Sequence, residues 1–112
     1  MLASENNNEN LEIKVADFGL SQFTSDKERT KRMCGSPGYV APEILRGKGC
    51  DPKSDIFSLG AIFYNLMTGR ALFPGKSVDE VLERNANADI SCAKKHIDLL
   101  PSNARSLLII LL

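Results

Sequence analysis

Asp17-Phe18-Gly19 is the first group in this sequence with the means to do chemistry. Leu11, Ile13 and Val15 alternate with Glu12, Lys14 and Ala16, the period of a half-buried strand, and the tripeptide follows directly. A carboxylate at a strand end, followed by a glycine that frees the backbone, suits a divalent-cation ligand. The plainer alternative is a strand-end Asp in a turn. Elsewhere the signals are poorer. His96 is a lone histidine with no partner at ligand spacing. Cys34, Cys50 and Cys92 form no Cys-x-x-Cys pair. An odd, widely spaced set argues against a disulfide framework or a zinc site, and for a reducing, cytoplasmic setting. The mixed cluster of Lys27, Glu28, Arg29, Lys31 and Arg32 reads as a solvated loop face rather than a docking site.

The elements that must position these residues are mostly helical. Residues 4–10 form a polar, Asn-rich turn, and Met1 and Leu2 could be the stub of a strand pairing across it. The expectation is a short N-terminal β-hairpin over 1–18 followed by helices. Residues 21–36 show no apolar periodicity and read as a long mobile loop. Pro42 to Arg46 suits one short helix, with Pro in the first turn and Gly47 as a stop. A longer helix is expected over 55–68, capped by Ser54 or Asp55 and closed by Gly69. Its Ile56, Phe57, Leu59, Ile62, Phe63, Leu66 and Met67 cover most of the circumference, so it should be central, with Phe63 and Leu66 mostly buried. Ser77-Val-Asp-Glu80 has capping-box spacing and opens a helix over 77–86. Pro101-Ser102-Asn103 opens another over 103–112, ending on six consecutive apolar residues.

Composition bounds the function. The chain has 112 residues, with 14 basic and 14 acidic side chains, 43% hydrophobic and 25% charged residues. This is ordinary globular composition for a single domain at most. The charge balance argues against a nucleic-acid binder. The longest apolar run is far short of the ~20 residues of a membrane helix, and no signal peptide is expected at the N-terminus.

Two further motifs change the reading of Asp17. Gly35-Ser-Pro-Gly-Tyr-Val-Ala-Pro-Glu43 ends 26 positions after Asp17, and Asp55-Ile-Phe-Ser-Leu-Gly60 begins 12 positions later. Asp-Phe-Gly, Ala-Pro-Glu, then Asp-x-x-Ser-x-Gly opening an apolar helix resembles the protein kinases. The Gly35–Glu43 segment is similar to the serine/threonine type, and Leu72-Phe-Pro-Gly75 is similar to the calcium/calmodulin-dependent group. The resemblance covers nearly the whole chain and implies a partial kinase C-lobe, starting just after the family's catalytic loop. Its activation segment would span 17–43 and its helical part 42–112. No Gly-rich loop or ATP-anchoring Lys precedes the strand, and no His-Arg-Asp-x-x-x-x-Asn occurs in the sequence. The family's catalytic base therefore has no counterpart here, and the expected partners include the kinase N-lobe and the remainder of the C-lobe.

Carried over by position, the resemblance implies ATP and Mg²⁺ as cofactors and a protein as substrate. Asp17 would hold Mg²⁺ bridging the ATP phosphates. Phe18 would pack into the regulatory core beside Gly19. Ser36, Pro37, Gly38 and Tyr39 would meet the substrate. Glu43 would pair with an Arg, and Asp55 would accept hydrogen bonds from the catalytic-loop backbone. Ile62 and Leu66 would sit under the adenine. Arg32 stands where relatives often carry a phosphorylated Thr, which leaves Thr30 as the nearest hydroxyl. Phe57 stands where Trp is commoner, and Asn65 where some relatives are acidic to select basic substrates. Three functions stay open on the sequence: a fragment of a serine/threonine kinase, a kinase-derived binding module without catalysis, and a gene fragment without function. The fragment alone is expected to be poorly stable, because its last apolar helix has few elements to cover it.

Overall fold

The computed structural model describes residues 13–26 and 34–112. Five helices follow one another among them: α1 (Pro42–Leu45), α2 (Pro52–Thr68), α3 (Val78–Ala86), α4 (Ser91–Asp98) and α5 (Ser102–Leu111). The described residues contain no strand. The expected hairpin over 1–18 is therefore corrected where it can be seen. Ile13 and Val15 are 86% and 82% exposed, and the rest of the proposed hairpin, residues 1–12, lies outside the described residues. Period-two alternation describes how a segment would sit in a sheet, but does not supply the second strand that stabilises it. The expected loop over 21–36 is described only in part, since residues 27–33, with Thr30, lie outside the described set.

α2 is the longest element and begins earlier than expected. Its cap is Asp51, not Ser54 or Asp55. Asp51 Oδ1 accepts from the Lys53 N–H at 2.7 Å, and the Asp51 N–H donates to Ser54 Oγ at 3.2 Å. Pro52 fills the first helical position, where a missing N–H costs nothing. The reciprocal pair holds the chain at the turn into the helix. Ser54 is buried, and its hydroxyl also donates to Glu43 Oε1 at 2.7 Å, tying the end of the preceding segment to α2.

The core lies on one side of α2. Phe57, Ala61 and Tyr64 face Ile44 of α1, Leu72 and Phe73 of the following loop, Ala93 and Ile97 of α4, Leu100, and Leu108 of α5. The rings of Phe57 and Phe73 stack at 6.2 Å with planes 15° apart. Gly60 sets the crossing of α2 and α5. A Cβ there would stand 2.9 Å from Leu112 Cδ2 and 3.0 Å from Leu111 Cβ, so only a bare backbone permits this approach. The opposite side of α2 is uncovered. Leu66 is 77% exposed and Phe63 only half-buried, against the expectation that both would be buried. The described elements are too few to surround a helix of this circumference.

α3 starts as the sequence implies, with Ser77 Oγ accepting from the Glu80 N–H at 3.2 Å. The Glu80 carboxylate does not close the box on Ser77. It accepts instead from the Lys76 N–H at 2.8 Å and from Arg84 Nη2 at 2.8 Å. α4 was not anticipated, although Ala93, Ile97 and Leu100 repeat at helical spacing and are all buried. Asp89 Oδ1 accepts from the Ser91 N–H at its start. The apolar run of α5 is covered on one side only: Leu108 is fully buried, while Ile109 and Ile110 are 66% and 77% exposed.

Three outcomes test this architecture. Gly60→Val should destabilise the intact protein by about 1–3 kcal/mol through overpacking at the α2–α5 crossing, read from its urea midpoint. An unchanged midpoint would mean that the two helices do not approach there. Ser54→Ala removes one buried bond to a carboxylate and half of the cap, and should cost roughly 1.5–3 kcal/mol in the same measurement. The third outcome concerns acid. The Lys76 N–H first, and then Arg84, hold the Glu80 carboxyl below the ordinary carboxylate range. The Ser91 hydroxyl and N–H do the same for Asp89. Both contributions are complete above the unfolded carboxylate pKa and are lost as pH falls through the lowered folded value. The amide resonances of Lys76 and Ser91 should thus titrate with midpoints below those the same carboxylates show in the urea-unfolded chain.

Candidate functional site

A cleft of about 680 Å³ lies between α2 and the segments before it. Its floor is the side of α2 carrying Ser54, Asp55, Ser58, Ile62 and Asn65, and its walls are residues 20–24, 34–36 and 39–44 in part. The wall nearest α2 is a tight turn. The Ser36 carbonyl accepts from the N–H groups of both Tyr39 and Val40, at 3.1 and 3.2 Å. Gly38 has φ 86°, which only glycine adopts without strain, and so lets the chain reverse over Pro37. Two hydroxyls of α2 then fasten this segment. Ser58 Oγ donates to the Tyr39 carbonyl at 2.8 Å, and Ser54 Oγ to Glu43 as described. Spaced one helical turn apart, the two serines hold both ends of the 39–43 stretch against one face of the helix.

Asp17 sits on the other approach to the cleft. Its φ of 66° is left-handed, a backbone that is uncommon for any residue except glycine, though Asp adopts it more readily than most. Asp17 Oδ1 accepts from the Gly19 N–H at 3.3 Å, and the Phe18 carbonyl accepts from both the N–H and the hydroxyl of Ser21. These local bonds shape a turn that leaves the carboxylate exposed and Phe18 68% exposed. Further along the wall, Gln22 Nε2 donates to Cys50 Sγ at 2.6 Å, bridging this segment to the start of α2.

The cleft therefore brings together Ser36, Tyr39, Asp55 and Ile62 of the residues singled out in the sequence. Pro37, Gly38 and Glu43 do not line it; Gly38 faces Val81 of α3, and Glu43 is tied to Ser54. Asp17, Phe18, Gly19 and Leu66 do not line the cleft. Asp55 is exposed and makes no hydrogen bond to a described residue, so its carboxylate is open to a partner. Sequence reasoning missed Asp51, Ser54, Ser58 and Gln22 as positioning groups. Asp51-Pro52-x-Ser54 was legible as a helix start, whereas nothing local marks Ser58 or Gln22.

As a metal ligand, Asp17 offers one carboxylate. Among the described residues no group of three or more His, Cys, Asp or Glu side chains could hold an ion by itself. Mg²⁺ is ordinarily held by one or two carboxylates, with phosphate and water oxygens completing the shell. An exposed Asp with one oxygen engaged by its own turn fits that use, and does not fit a closed all-protein site. No helix among the described residues is long and apolar enough to cross a membrane.

The chain matches the family model described as the protein kinase domain over residues 1–112. It is 44% identical over 95 residues to a probable serine/threonine-protein kinase 2 of Plasmodium falciparum, covering 85% of this chain and 18% of that protein. It is 39% identical over 92 residues to serine/threonine-protein kinase PLK1 of Xenopus tropicalis, covering 81% of this chain and 15% of the relative. Sucrose non-fermenting protein kinase 1 of Fusarium virguliforme is 40% identical over 84 residues, covering 74% of this chain and 12% of its own length. The chain thus spans less than a fifth of the curated relatives it matches. None of these three is named for calcium or calmodulin, and the Leu72-Phe-Pro-Gly75 likeness does not carry that subgroup. Residues 1–112 therefore belong to the protein kinase family, on its serine/threonine side.

Proposed function

We propose that this chain serves the transfer of the ATP γ-phosphate to serine or threonine of a protein substrate, as the floor and substrate-facing part of a kinase C-lobe. One observation carries the reading. The Gly35–Glu43 segment is fastened to α2 at both ends, so that Ser36, Tyr39, Asp55 and Ile62 share one open cleft beside the Asp17 turn. Asp17 is the residue that would hold Mg²⁺, whose charge would offset that developing on the transferring group. The turn at Ser36 to Tyr39 would position the substrate backbone, and the open carboxylate of Asp55 would accept backbone N–H groups of a catalytic loop supplied outside this sequence. Ile62 and the exposed Leu66, one turn further on, would support the adenine through the apolar face of α2. Thr30, Arg29 and Arg32 lie outside the described residues, and a phosphate on Thr30 would find arginine partners two or fewer positions away in the sequence. Three free cysteines support a cytoplasmic setting.

Phosphoryl transfer needs several parts acting together, and this sequence holds no Lys motif for the phosphates and no His-Arg-Asp motif for the proton. The 112 residues alone should therefore transfer no label from radiolabelled ATP to a generic protein substrate. A kinase-length protein that contains them should do so, and Asp17→Ala should lower its rate at least about 10²-fold. Label transfer that survives Asp17→Ala would remove the metal role of Asp17. A kinase-length protein that binds substrate without transferring label would favour the binding-module reading.

A further inference from the structure

The turn beside the cleft reverses at a residue with no side chain of its own to hold it. Gly38 has φ 86°, where any larger residue would be strained. Ser54 and Ser58 fasten the chain from Tyr39 to Glu43, so the reversal itself lies outside the stretch they hold. What meets it comes from α3. A Cβ built on Gly38 would stand 3.6 Å from Val81 Cγ1, an ordinary contact distance, so the Cα hydrogen on that side is turned to this methyl.

Val81 is itself set from another direction. A Cβ on Gly75 would stand 2.9 Å from Val81 Cγ2 and 2.9 Å from the Val81 nitrogen, closer than such atoms pack, so the backbone at Gly75 lies directly against the valine. The loop that brings Gly75 there is rooted in the core: Leu72 and Phe73 are buried, and Phe73 stacks on Phe57 of α2. The first turn of α3 is fixed as well, by the Ser77 cap and by the Glu80 carboxylate on the Lys76 N–H. A β-branched side chain in a helix is stiff, with one strongly preferred rotamer. Each branch of Val81 thus has its own neighbour, Cγ2 the Gly75 backbone and Cγ1 the Gly38 reversal. The same side chain packs against the buried cluster that contains Val40, Ala41 and Ile44. A chain of fixed contacts runs from Phe57 through Phe73, Gly75 and Val81 to the tip of the turn.

We propose that Val81 is a positioning residue for the protein substrate, bracing Gly38 so that the Ser36–Tyr39 turn stands at a set place against the incoming chain. Val81 does not line the cleft and acts through the turn. The inference rests on the phosphoryl-transfer reading, which gives this turn its substrate-facing role. Removing the brace should loosen the turn and leave the Asp17 and Ile62 side of the cleft as it is. Binding of the protein substrate then changes while binding of ATP does not, a split that a general loss of stability would not give.

The test uses a kinase-length protein containing residues 1–112, with dephosphorylated casein as substrate. Val81→Ala should raise KM for casein at least about threefold, with kcat and KM for ATP within about twofold of the wild type. Val81→Thr, which keeps the branched shape, should retain the wild-type KM. Leu82→Ala, on the same helix but outside the packed cluster, measures destabilisation alone: it should lower the melting temperature without moving KM for casein. An unchanged KM for casein in Val81→Ala, an equal rise in KM for ATP, or the same rise in Leu82→Ala would overturn the proposal. Val81→Leu, which keeps the apolar volume but not the branch at Cβ, replaces an alanine variant that circular dichroism shows to be unfolded. A second readout needs no activity. The Tyr39 and Val40 amides, both bonded to the Ser36 carbonyl, should exchange hydrogen several-fold faster in Val81→Ala than in Leu82→Ala. If the wild type transfers no label to casein, the phosphoryl-transfer reading fails by itself. Exchange at Tyr39 and Val40 then still decides whether Val81 sets the turn, and equal rates in the two variants would overturn it.

Discussion

The hydrogen bond from buried Ser54 to Glu43 is the contact on which the site depends, because it joins the two parts of the chain that carry its motifs. One hydroxyl does three things at once. It accepts from the Asp51 N–H to start α2, donates to the glutamate that closes the Gly35–Glu43 segment, and sits beneath the cleft that both elements line. A hydrogen bond to a carboxylate in a partly dry setting is worth roughly twice a neutral one. Its loss would leave Glu43 without the partner that fixes it. Ser58, four residues on, repeats the device on the Tyr39 carbonyl, so the register of the segment on the helix is held at two points rather than one. A single tether would leave the turn at Pro37 free to pivot.

Much of this was legible in the sequence, for identifiable reasons. Helices announce themselves through caps and apolar spacing, and Ser77 with Glu80, Pro42 with Gly47, and the long apolar stretch after Asp55 all mark real elements. Where the local signal was ambiguous, the start of α2 was placed three residues late, since Ser54 and Asp55 are as good caps as Asp51 taken singly. Only the Pro at position 52 decides between them. The hairpin failed because strand pairing is non-local, and alternation at Leu11 to Val15 says nothing of what lies alongside. α4 escaped notice because its eight residues carry only two buried positions, too few to stand out from a polar run. Asp17 and Asp55 were singled out through the family motifs, and their roles belong to the proposed function, but the serines that fasten the Gly35–Glu43 segment were not. A hydroxyl that bonds 19 residues away leaves no trace in local pattern.

α2 is apolar on two sides, and the described elements use one. Phe57, Gly60, Ala61 and Tyr64 lie on the buried arc, while Leu59, Ile62 and Leu66 lie on the opposite one at 50%, 45% and 77% exposure. Fully burying one such side chain is worth about 1.5–3 kcal/mol, so this face forgoes a sum comparable with the whole stability of a small domain. An amphipathic helix with one apolar stripe would suffice for the core that is present. Two stripes are the pattern of a helix meant to be enclosed. Under the proposed function the second stripe would be met by the rest of a kinase lobe, including the adenine beside Ile62.

The two approaches to the cleft are held with unequal strength, and this bears on how such a site would be controlled. Ser36 to Glu43 is fixed to the longest helix by two side-chain bonds and packs Val40, Ala41 and Ile44 into the core. The Asp17 turn is held by its own short-range bonds, with Ile13, Val15, Phe18, Leu20 and Phe23 all largely exposed. A long-range side-chain bond runs from Gln22 to the Cys50 sulfur. Segments with few buried contacts open at low free energy, while segments built into the core open only with it. The Ser36–Glu43 turn is thus set by folding itself, and the Asp17 carboxylate by whatever covers its apolar flank. Under the proposed function transfer requires both in place together, so that a modest free energy spent on ordering Phe18 and Leu20 would decide whether Asp17 is presented to the phosphates.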